Sequence, residues 1–543
     1  MAADNQFRGP MPLAVPPERL ASIQADFSER WRQLLDDAQR GTLAALTDRR
    51  FSSAAWQHSP TSLMAAHAYL IGAHTLEQMV DAADMDEFAR KRLRFTVMQW
   101  IEAASPSNFW ASNPDAHQAL TESGGQALQQ GMANLLQDIS QGRITQTDDT
   151  EFELGKNLAT TPGDVIYENR LMQLIRYRAQ TAHVHERPLL LVPPCINKFY
   201  ILDLQPENSF VRHAVEQGFS VFLISWRNPL ETDTDGIDQA GWTDYLDEGI
   251  LQAIEVVREL SGQPQINALG FCVGGTMLAT ALALAHARGE DPVAALSLLT
   301  TFLDFSETGI LDVFVDEMHA QSRDRQFAAG GLMTARELGT TFSFLRPSEL
   351  VWNYVSSNYM QGKTPRAFDL LAWNADGTNL PGPFFAWYFR NTYLENNLRQ
   401  AGKVHIDGHP IDLGALSMPT YLYGSRDDHI VPWTSAYAST GLLSGASRFV
   451  LGESGHIAGV INPPSKNRRS YWAHDENSEN QTAPHSAQAW LDGAARHPGS
   501  WWPDWSTWLS QYSGKLVRVR KPSSRRYKTI EPAPGRYVKI RAV

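Results

Sequence analysis

The stretch Ala268-Leu269-Gly270-Phe271-Cys272-Val273-Gly274-Gly275 decides the fold of this 543-residue chain. It predicts a sharp turn from a strand into a helix, with a cysteine at the tip and glycines that let the backbone pass with little bulk. Upstream, Gln265 to Leu269 predicts a short buried strand, and downstream Thr276 to Ala287 predicts a helix rich in Ala and Leu. The amino end of that helix carries partial positive charge, which favours a thiolate at Cys272. Taken alone, the motif is as typical of a buried structural cysteine beside a glycine-rich turn as it is of a catalytic cysteine.

Two later strand ends carry the side chains that a cysteine nucleophile needs. Pro419 to Gly424 predicts a strand that runs directly into Ser425-Arg426-Asp427-Asp428-His429. Arg448 to Leu451 predicts another, followed by Gly452-Glu453-Ser454-Gly455-His456-Ile457. Each strand end therefore presents an acid or a histidine on the loop that follows it.

These residues occur in the chain order nucleophile, acid, histidine, which is the order of the α/β-hydrolase fold. Three such residues in the correct order, each at a strand's carboxyl end, are a much more specific pattern than any one of them. We predict a catalytic triad of Cys272, Asp428 and His456. Spacing alone does not separate Asp427 from Asp428.

The rest of the chain alternates strands with helices. Leu189 to Pro194 and Ser220 to Ser225 predict buried strands, and Phe210 to Gln217 predicts the helical crossover between them. The pattern predicts an α/β-hydrolase fold: a mostly parallel, doubly wound sheet with its ligand site at the carboxyl ends of the strands.

The length predicts two domains, a mainly helical N-terminal domain at 1–160 and a catalytic domain at 161–543. More than a hundred residues separate the strand at Val293 to Thr301 from the one that begins near Pro419. We interpret about 305–417 as a cap insertion that folds over the active site and excludes water. The cap is rich in aromatic residues, which suits an apolar acyl group or polymer, although most of these rings are expected to pack the cap's own core.

Charge and cysteine content restrict the partners and the compartment. The net charge of −12 argues against wholesale nucleic-acid binding, but the tail at 515–543 carries ten Lys and Arg against one acid. That tail is either a site for a polyanion or a solvated terminus. The two cysteines, Cys195 and Cys272, are expected as free thiols in the cytoplasm, because no apolar run is long enough for a transmembrane segment and no signal peptide is evident. We find no convincing metal-ligand cluster.

Six blocks of the sequence carry a specific resemblance: Gly270 to Thr276, Ile196 to Leu204, Thr378 to Pro383, Gly424 to Trp433, Gly455 to Pro464 and Glu531 to Tyr537. They are similar to the corresponding blocks of the poly(3-hydroxyalkanoate) synthases, and the chain most resembles the single-subunit class I type. The resemblance implies an acyltransferase that polymerises (R)-3-hydroxyacyl-CoA thioesters into polyester and releases CoA. CoA is then a leaving group of the substrate, and no cofactor is retained. The resemblance also implies a homodimer and an association with the surface of polyester granules.

In that reaction the nucleophile is Cys272, the acid Asp428 and the base His456, through an acyl-cysteine intermediate. The backbone N–H groups of Val273 and Ile196 are the expected oxyanion donors, and His429 and Asn197 are possible accessory residues. Two alternatives stay open. A thioesterase or polyester depolymerase would use the same triad with water as acceptor, and a granule-surface scaffold would need no triad.

Overall fold

The computed structural model describes residues 14–474, 486–519 and 526–542. Parts of the basic tail predicted at 515–543 therefore lie outside the described residues, as does the start of the helical domain predicted at 1–160. The chain divides into two compact units. One comprises the described parts of 1–148 together with 340–366, and the other those of 149–339 and 367–543.

The first unit is helical. Ser59 accepts a hydrogen bond from the backbone N–H of Ser62, and Pro60 occupies the first helical position, so the two residues together start one long helix. The α-helices of this unit are α1 (Pro17–Arg40), α2 (Ala54–His58), α3 (Pro60–Ala82), α4 (Glu87–Ala103), α5 (Pro114–Glu122) and α6 (Gln126–Gln141).

Residues 340–366, which the sequence analysis assigns to the cap insertion, lie in the helical unit. They contain two short π-helices, Ser348–Trp352 and Val355–Met360. The side chain of Asn134 donates to the carbonyl of Asn358 at 3.0 Å. A Cβ atom at Gly131 would overlap the carbonyl oxygen of Tyr359. Such contacts join residues more than two hundred positions apart, which is why local sequence patterns do not reveal them.

The second unit is built on an eleven-stranded sheet with helices in its connections. In chain order its strands, with those of three small two-stranded sheets, are β1 (Gly163–Glu168), β2 (Met172–Tyr177), β3 (His183–His185), β4 (Leu189–Val192), β5 (Val221–Trp226), β6 (Ile266–Phe271), β7 (Val293–Leu299), β8 (Leu332–Met333), β9 (Leu380–Pro381), β10 (His405–Ile406), β11 (His409–Pro410), β12 (Thr420–Ser425), β13 (Ser447–Gly452), β14 (Ser470–Ala473), β15 (Ala495–Pro498), β16 (Leu516–Arg518) and β17 (Glu531–Pro532).

The α-helices of the second unit follow the same chain order, and α12 begins in it and ends in the first unit. They are α7 (Phe210–Glu216), α8 (Trp242–Asp244), α9 (Gln252–Ser261), α10 (Val273–Ala287), α11 (Glu317–Phe327), α12 (Ala335–Leu345), α13 (Asp369–Asn374), α14 (Gly382–Tyr388), α15 (Trp433–Ala438), α16 (His456–Val460), α17 (Ala487–Gly493) and α18 (Trp502–Gln511).

The large sheet has the order β15-β14-β13-β12-β7-β6-β4-β5-β2-β1-β17, so β6 is its central strand. The six strands from β13 to β5 are parallel, and antiparallel strands extend the sheet at both edges. The predicted α/β-hydrolase sheet is confirmed. The basic tail contributes β17, which pairs with β1 at one edge.

The core concentrates around β6 and α10. Every residue of β6 is buried, and so are all thirteen residues of α10 from Val273 to Ala285. Apart from Asn267, whose side chain donates to the hydroxyl of Ser513, the strand consists of small and apolar residues because both of its faces are covered. Among the described residues, no helix is both long and apolar enough to span a bilayer.

Strand β6 packs closely against the start of α10 at Gly270 and Gly275. A Cβ atom at Gly270 would overlap the Cα atom of Gly275, and backbone cannot move aside as a flexible side chain can. We expect Gly270→Ala to lower the free energy of unfolding by about 1–3 kcal/mol, measured by urea denaturation. The matched control is Gly441→Ala, where the added methyl group meets nothing within 4 Å. Equal stabilities for the two variants would contradict this account of the turn.

Candidate active site

Cys272 lies on a strained turn between β6 and α10. Its backbone has φ 54° and ψ −129°, in a region that side-chain-bearing residues rarely adopt. The turn is held from both sides: the N–H of Cys272 donates to the carbonyl of Leu299 at 2.9 Å, and its own carbonyl accepts from Gly275 at 2.9 Å. These bonds fix the cysteine at the carboxyl edge of the central strand, where the sequence predicts the nucleophile.

The first turn of α10 packs directly against the end of β4. A Cβ atom at Gly274 would overlap the carbonyl oxygens of Val192 and Pro193, so only glycine permits this approach. The loop that follows Pro194 is thereby held close to the turn that carries Cys272.

Asp428 and His456 form a buried pair. Nδ1 of His456 lies 2.7 Å from Oδ2 of Asp428, and the two side chains are 8% and 0% exposed. An ionised carboxylate can only accept, so Nδ1 carries a hydrogen and donates. The other carboxylate oxygen accepts from the backbone N–H groups of Ile430 and Val431 at 2.8 and 2.9 Å. The carboxylate is therefore satisfied on both oxygens and holds the imidazole in one orientation.

The imidazole also lies within electrostatic reach of Cys272. Burial alone lowers the pKa of His456, but the charges of Asp428 and Cys272 and their hydrogen bonds to the ring outweigh burial and raise the pKa above its ordinary value. The arrangement thus favours the protonated form of the His456 imidazole. The ring of Phe271 stacks on that of His456 with centroids 5.9 Å apart, which further restricts its motion.

The structure distinguishes the two neighbouring aspartates by their burial and their partners. Asp428 is buried against His456, whereas Asp427 is exposed and its N–H donates to the carbonyl of Ser454. The half-buried His429 follows Asp428 directly in the chain. Asp428 is thus the aspartate that pairs with the histidine.

The two expected oxyanion donors lie on either side of the turn. Val273 is the first residue of α10, where backbone N–H groups have no helical acceptor. Ile196 lies in the loop after β4, and its carbonyl accepts from the N–H of Thr378 at 2.9 Å. The side chain of Asn197 donates to the carbonyl of Asn374 at 3.4 Å. The roles of Val273, Ile196 and Asn197 stay predictions.

Three residues beside Cys272 escaped the sequence analysis as site residues. The hydroxyl of Thr301 donates to the carbonyl of Cys272 at 3.2 Å. Tyr388 and Tyr393 are neighbours whose ring centroids lie 5.5 Å apart. Burial raises the pKa of each tyrosine and the charge of Cys272 raises it further, so both stay neutral hydrogen-bond donors. Their spacing of five residues brings them together only because Phe389–Leu394 is a π-helix, which the sequence pattern does not show.

The described residues contain no group of three or more His, Cys, Asp or Glu side chains arranged to hold a metal ion. The groups gathered around Cys272 are a thiol, an imidazole, a carboxylate and backbone N–H groups. Such a set can transfer an acyl group through a thioester.

Comparison with known proteins identifies the family. Residues 47–214 match the model of the poly-beta-hydroxybutyrate polymerase N-terminus, and residues 188–463 match that of the alpha/beta hydrolase fold. The poly(3-hydroxyalkanoate) polymerase subunit PhaC of Cupriavidus necator is 52% identical over 98% of this chain and 90% of its own. The polymerase of Methylorubrum extorquens is 39% identical over 91% of this chain and 81% of its own.

Among solved structures, a hydrolase from Pseudomonas aeruginosa aligns with 55% of this chain and 92% of its own at 15% identity and a TM-score of 0.32. The sequence matches are far more extensive, because they run through the helical unit and the sheet alike. The chain belongs to the poly(3-hydroxyalkanoate) polymerase family of enzymes.

Proposed function

We propose that this enzyme polymerises (R)-3-hydroxyacyl groups from their CoA thioesters into polyester, through an acyl-cysteine at Cys272 and a triad with His456 and Asp428. The observation that carries the proposal is the buried Asp428–His456 pair, which meets a cysteine on a strained turn at the carboxyl edge of the sheet. The relatives named as polymerases support polyester synthesis.

The first step is acylation. The sulfur of Cys272 attacks the thioester carbonyl, the bond from that carbon to the sulfur of CoA breaks, and CoA leaves as a thiol with the proton of the His456 imidazolium. One thioester replaces another, so the acyl group stays reactive. The N–H groups of Val273 and Ile196 would stabilise the oxyanion between the two states.

The second step extends the polymer. The 3-hydroxyl of another hydroxyacyl unit attacks the acyl group on Cys272, and neutral His456 accepts its proton. An ester bond forms and the carbon–sulfur bond breaks, which leaves the thiolate and imidazolium ready for another cycle. Asp428 stabilises the imidazolium and orients the ring throughout.

The location and assembly follow from the same proposal. The product is an apolar polyester that cannot dissolve in water, so the enzyme would remain at the surface of its own granules in the cytoplasm. Resemblance to the family supports a homodimer.

The product separates this function from hydrolysis. We expect purified enzyme and (R)-3-hydroxybutyryl-CoA to yield free CoA and an insoluble ester-linked polymer, quantified by methanolysis and gas chromatography. Cys272→Ala should yield neither. Release of monomeric 3-hydroxybutyrate in place of polymer would instead identify a thioesterase, and loss of preformed polymer would identify a depolymerase.

The acyl carrier can be identified directly, because the chain offers a second cysteine as a control. After a short reaction with radiolabelled substrate, we expect label on wild type and on Cys195→Ala but none on Cys272→Ala. Peptide mapping locates the labelled cysteine. Label on Cys272→Ala equal to that on wild type would refute the acyl-cysteine.

The charge of Asp428 predicts a pH effect of defined sign. Because that charge raises the pKa of His456, Asp428→Asn lowers it, and the imidazolium that protonates CoA is lost at lower pH. We expect the alkaline limb of single-turnover CoA release to move to lower pH, and the rate at neutral pH to fall by about a hundredfold or more. Asp427→Asn, which removes a neighbouring exposed charge, should leave both unchanged. The reverse pattern would assign the role to Asp427.

A further inference from the structure

The loop that carries Ile196 is bound along its length to residues 373–378. The N–H of Thr378 donates to the carbonyl of Ile196 at 2.9 Å, and Asn197 forms an antiparallel bridge with Gly377. The indole N–H of Trp373 donates to the carbonyl of Lys198 at 2.7 Å. The carbonyl groups of Ile196 and Lys198 are thus bound by a segment that is distant in sequence.

A buried ion pair lies within this junction. Nζ of Lys198 is 2.7 Å from Oδ1 of Asp376, and the side chains are 4% and 13% exposed. The ammonium is close to the carboxylate but poorly aligned for a hydrogen bond, so charge is the main attraction. The second oxygen of Asp376 accepts from the hydroxyl of Tyr200 at 3.0 Å. One carboxylate therefore holds two side chains of the same loop.

Stability alone does not explain this pair. Burial lowers the pKa of Lys198, which shows that the site disfavours the charge that Asp376 attracts. Buried ion pairs are often replaced by apolar residues with little loss of stability, because desolvation offsets the Coulomb attraction. A well-attested use of such pairs is to select one geometry among several. Here the pair fixes the conformation of the loop at Lys198, two residues after Ile196.

We propose that Lys198 and Asp376 are positioning residues, which hold the N–H of Ile196 at the orientation that the oxyanion requires. The inference rests on the proposed function. Neither residue is required to touch the substrate; they act through the peptide between Cys195 and Ile196.

The expected loss of acylation rate follows from the narrow range of distances at which a donor stabilises an oxyanion. Donors must lie about 2.7–3.1 Å from the oxyanion, and removal of one donor slows catalysis by about 10²–10³-fold. A donor that is displaced, not deleted, should slow acylation by about 10–100-fold. The loss should fall on kcat and leave KM nearly unchanged, because the donor acts in the transition state.

The experiment compares two reactions of the same sulfur. In Lys198→Met and in Asp376→Asn, we expect single-turnover acylation by 3-hydroxybutyryl-CoA to slow by about tenfold or more. Alkylation of Cys272 by iodoacetamide needs no oxyanion donor, so its rate should match that of wild type. The double variant should be no slower than the single variants, since the pair acts as one unit.

The chain provides a matched control with the same kinds of side chain. Arg448 pairs with Asp504, with side chains 8% and 13% exposed, and the hydroxyl of Tyr421 donates to the same carboxylate at 2.9 Å. This cluster lies at the opposite end of the parallel strands, near the start of β12 and β13. Arg448→Met should lower the melting temperature yet leave the acylation rate of the folded enzyme unchanged.

Acylation at the wild-type rate in Asp376→Asn, the milder variant, would overturn the inference. So would equal slowing in Arg448→Met, or a parallel loss of alkylation, since each would indicate general disorder of the site. If wild type itself carried no acyl group on Cys272, the proposed function would fail together with the inference, a result distinct from any effect of the variants.

Discussion

The close approach of β6, α10 and β4 around Cys272 is the constraint on which the rest of the site depends. Glycines at 270 and 274 remove the side chains that would separate these elements, and the strained backbone of Cys272 is the consequence. A turn this tight fixes the backbone of Cys272 at the carboxyl edge of the central strand. Strain at such a point is tolerated because the buried residues of β6 and α10 stabilise it from both sides.

The charges of the site then follow from its burial. An imidazole surrounded by protein would lose its proton, but the fully buried carboxylate of Asp428 and the nearby sulfur reverse that tendency and raise the pKa of His456. A raised pKa also links the pair to folding. Its contribution to stability is fully present below the unfolded-state pKa of about 6.5 and is lost as the pH rises through the folded value. The Asp428–His456 interaction therefore also supports the fold at neutral pH.

Local pattern was sufficient to predict the sheet, and it also led to the residues of the proposed triad. The strands predicted around Leu189, Ser220, Val293, Pro419 and Arg448 are present within a residue or two, because buried parallel strands are short apolar runs ended by loops. Sequence order also led to Cys272, Asp428 and His456, and the structure then distinguished Asp428 from Asp427 by burial. The pairing of β17 with β1 and the contact of Lys198 with Asp376 could not be predicted, since each joins residues more than 170 positions apart with no local periodicity.

In the proposed reaction, the residues around Cys272 have to control which molecule accepts the acyl group. Water and a 3-hydroxyl are chemically similar nucleophiles toward a thioester, so the triad alone cannot choose between them. Tyr393 lies against the rings of Phe302 and Phe305, with centroids 6.1 and 5.1 Å away, and beside Tyr388 close to Cys272. Aromatic faces exclude unbound water, while two neutral hydroxyls remain as donors and acceptors for a polar group. Surroundings of this kind favour an acceptor that brings its own apolar chain, because the chain contributes contacts that water cannot make.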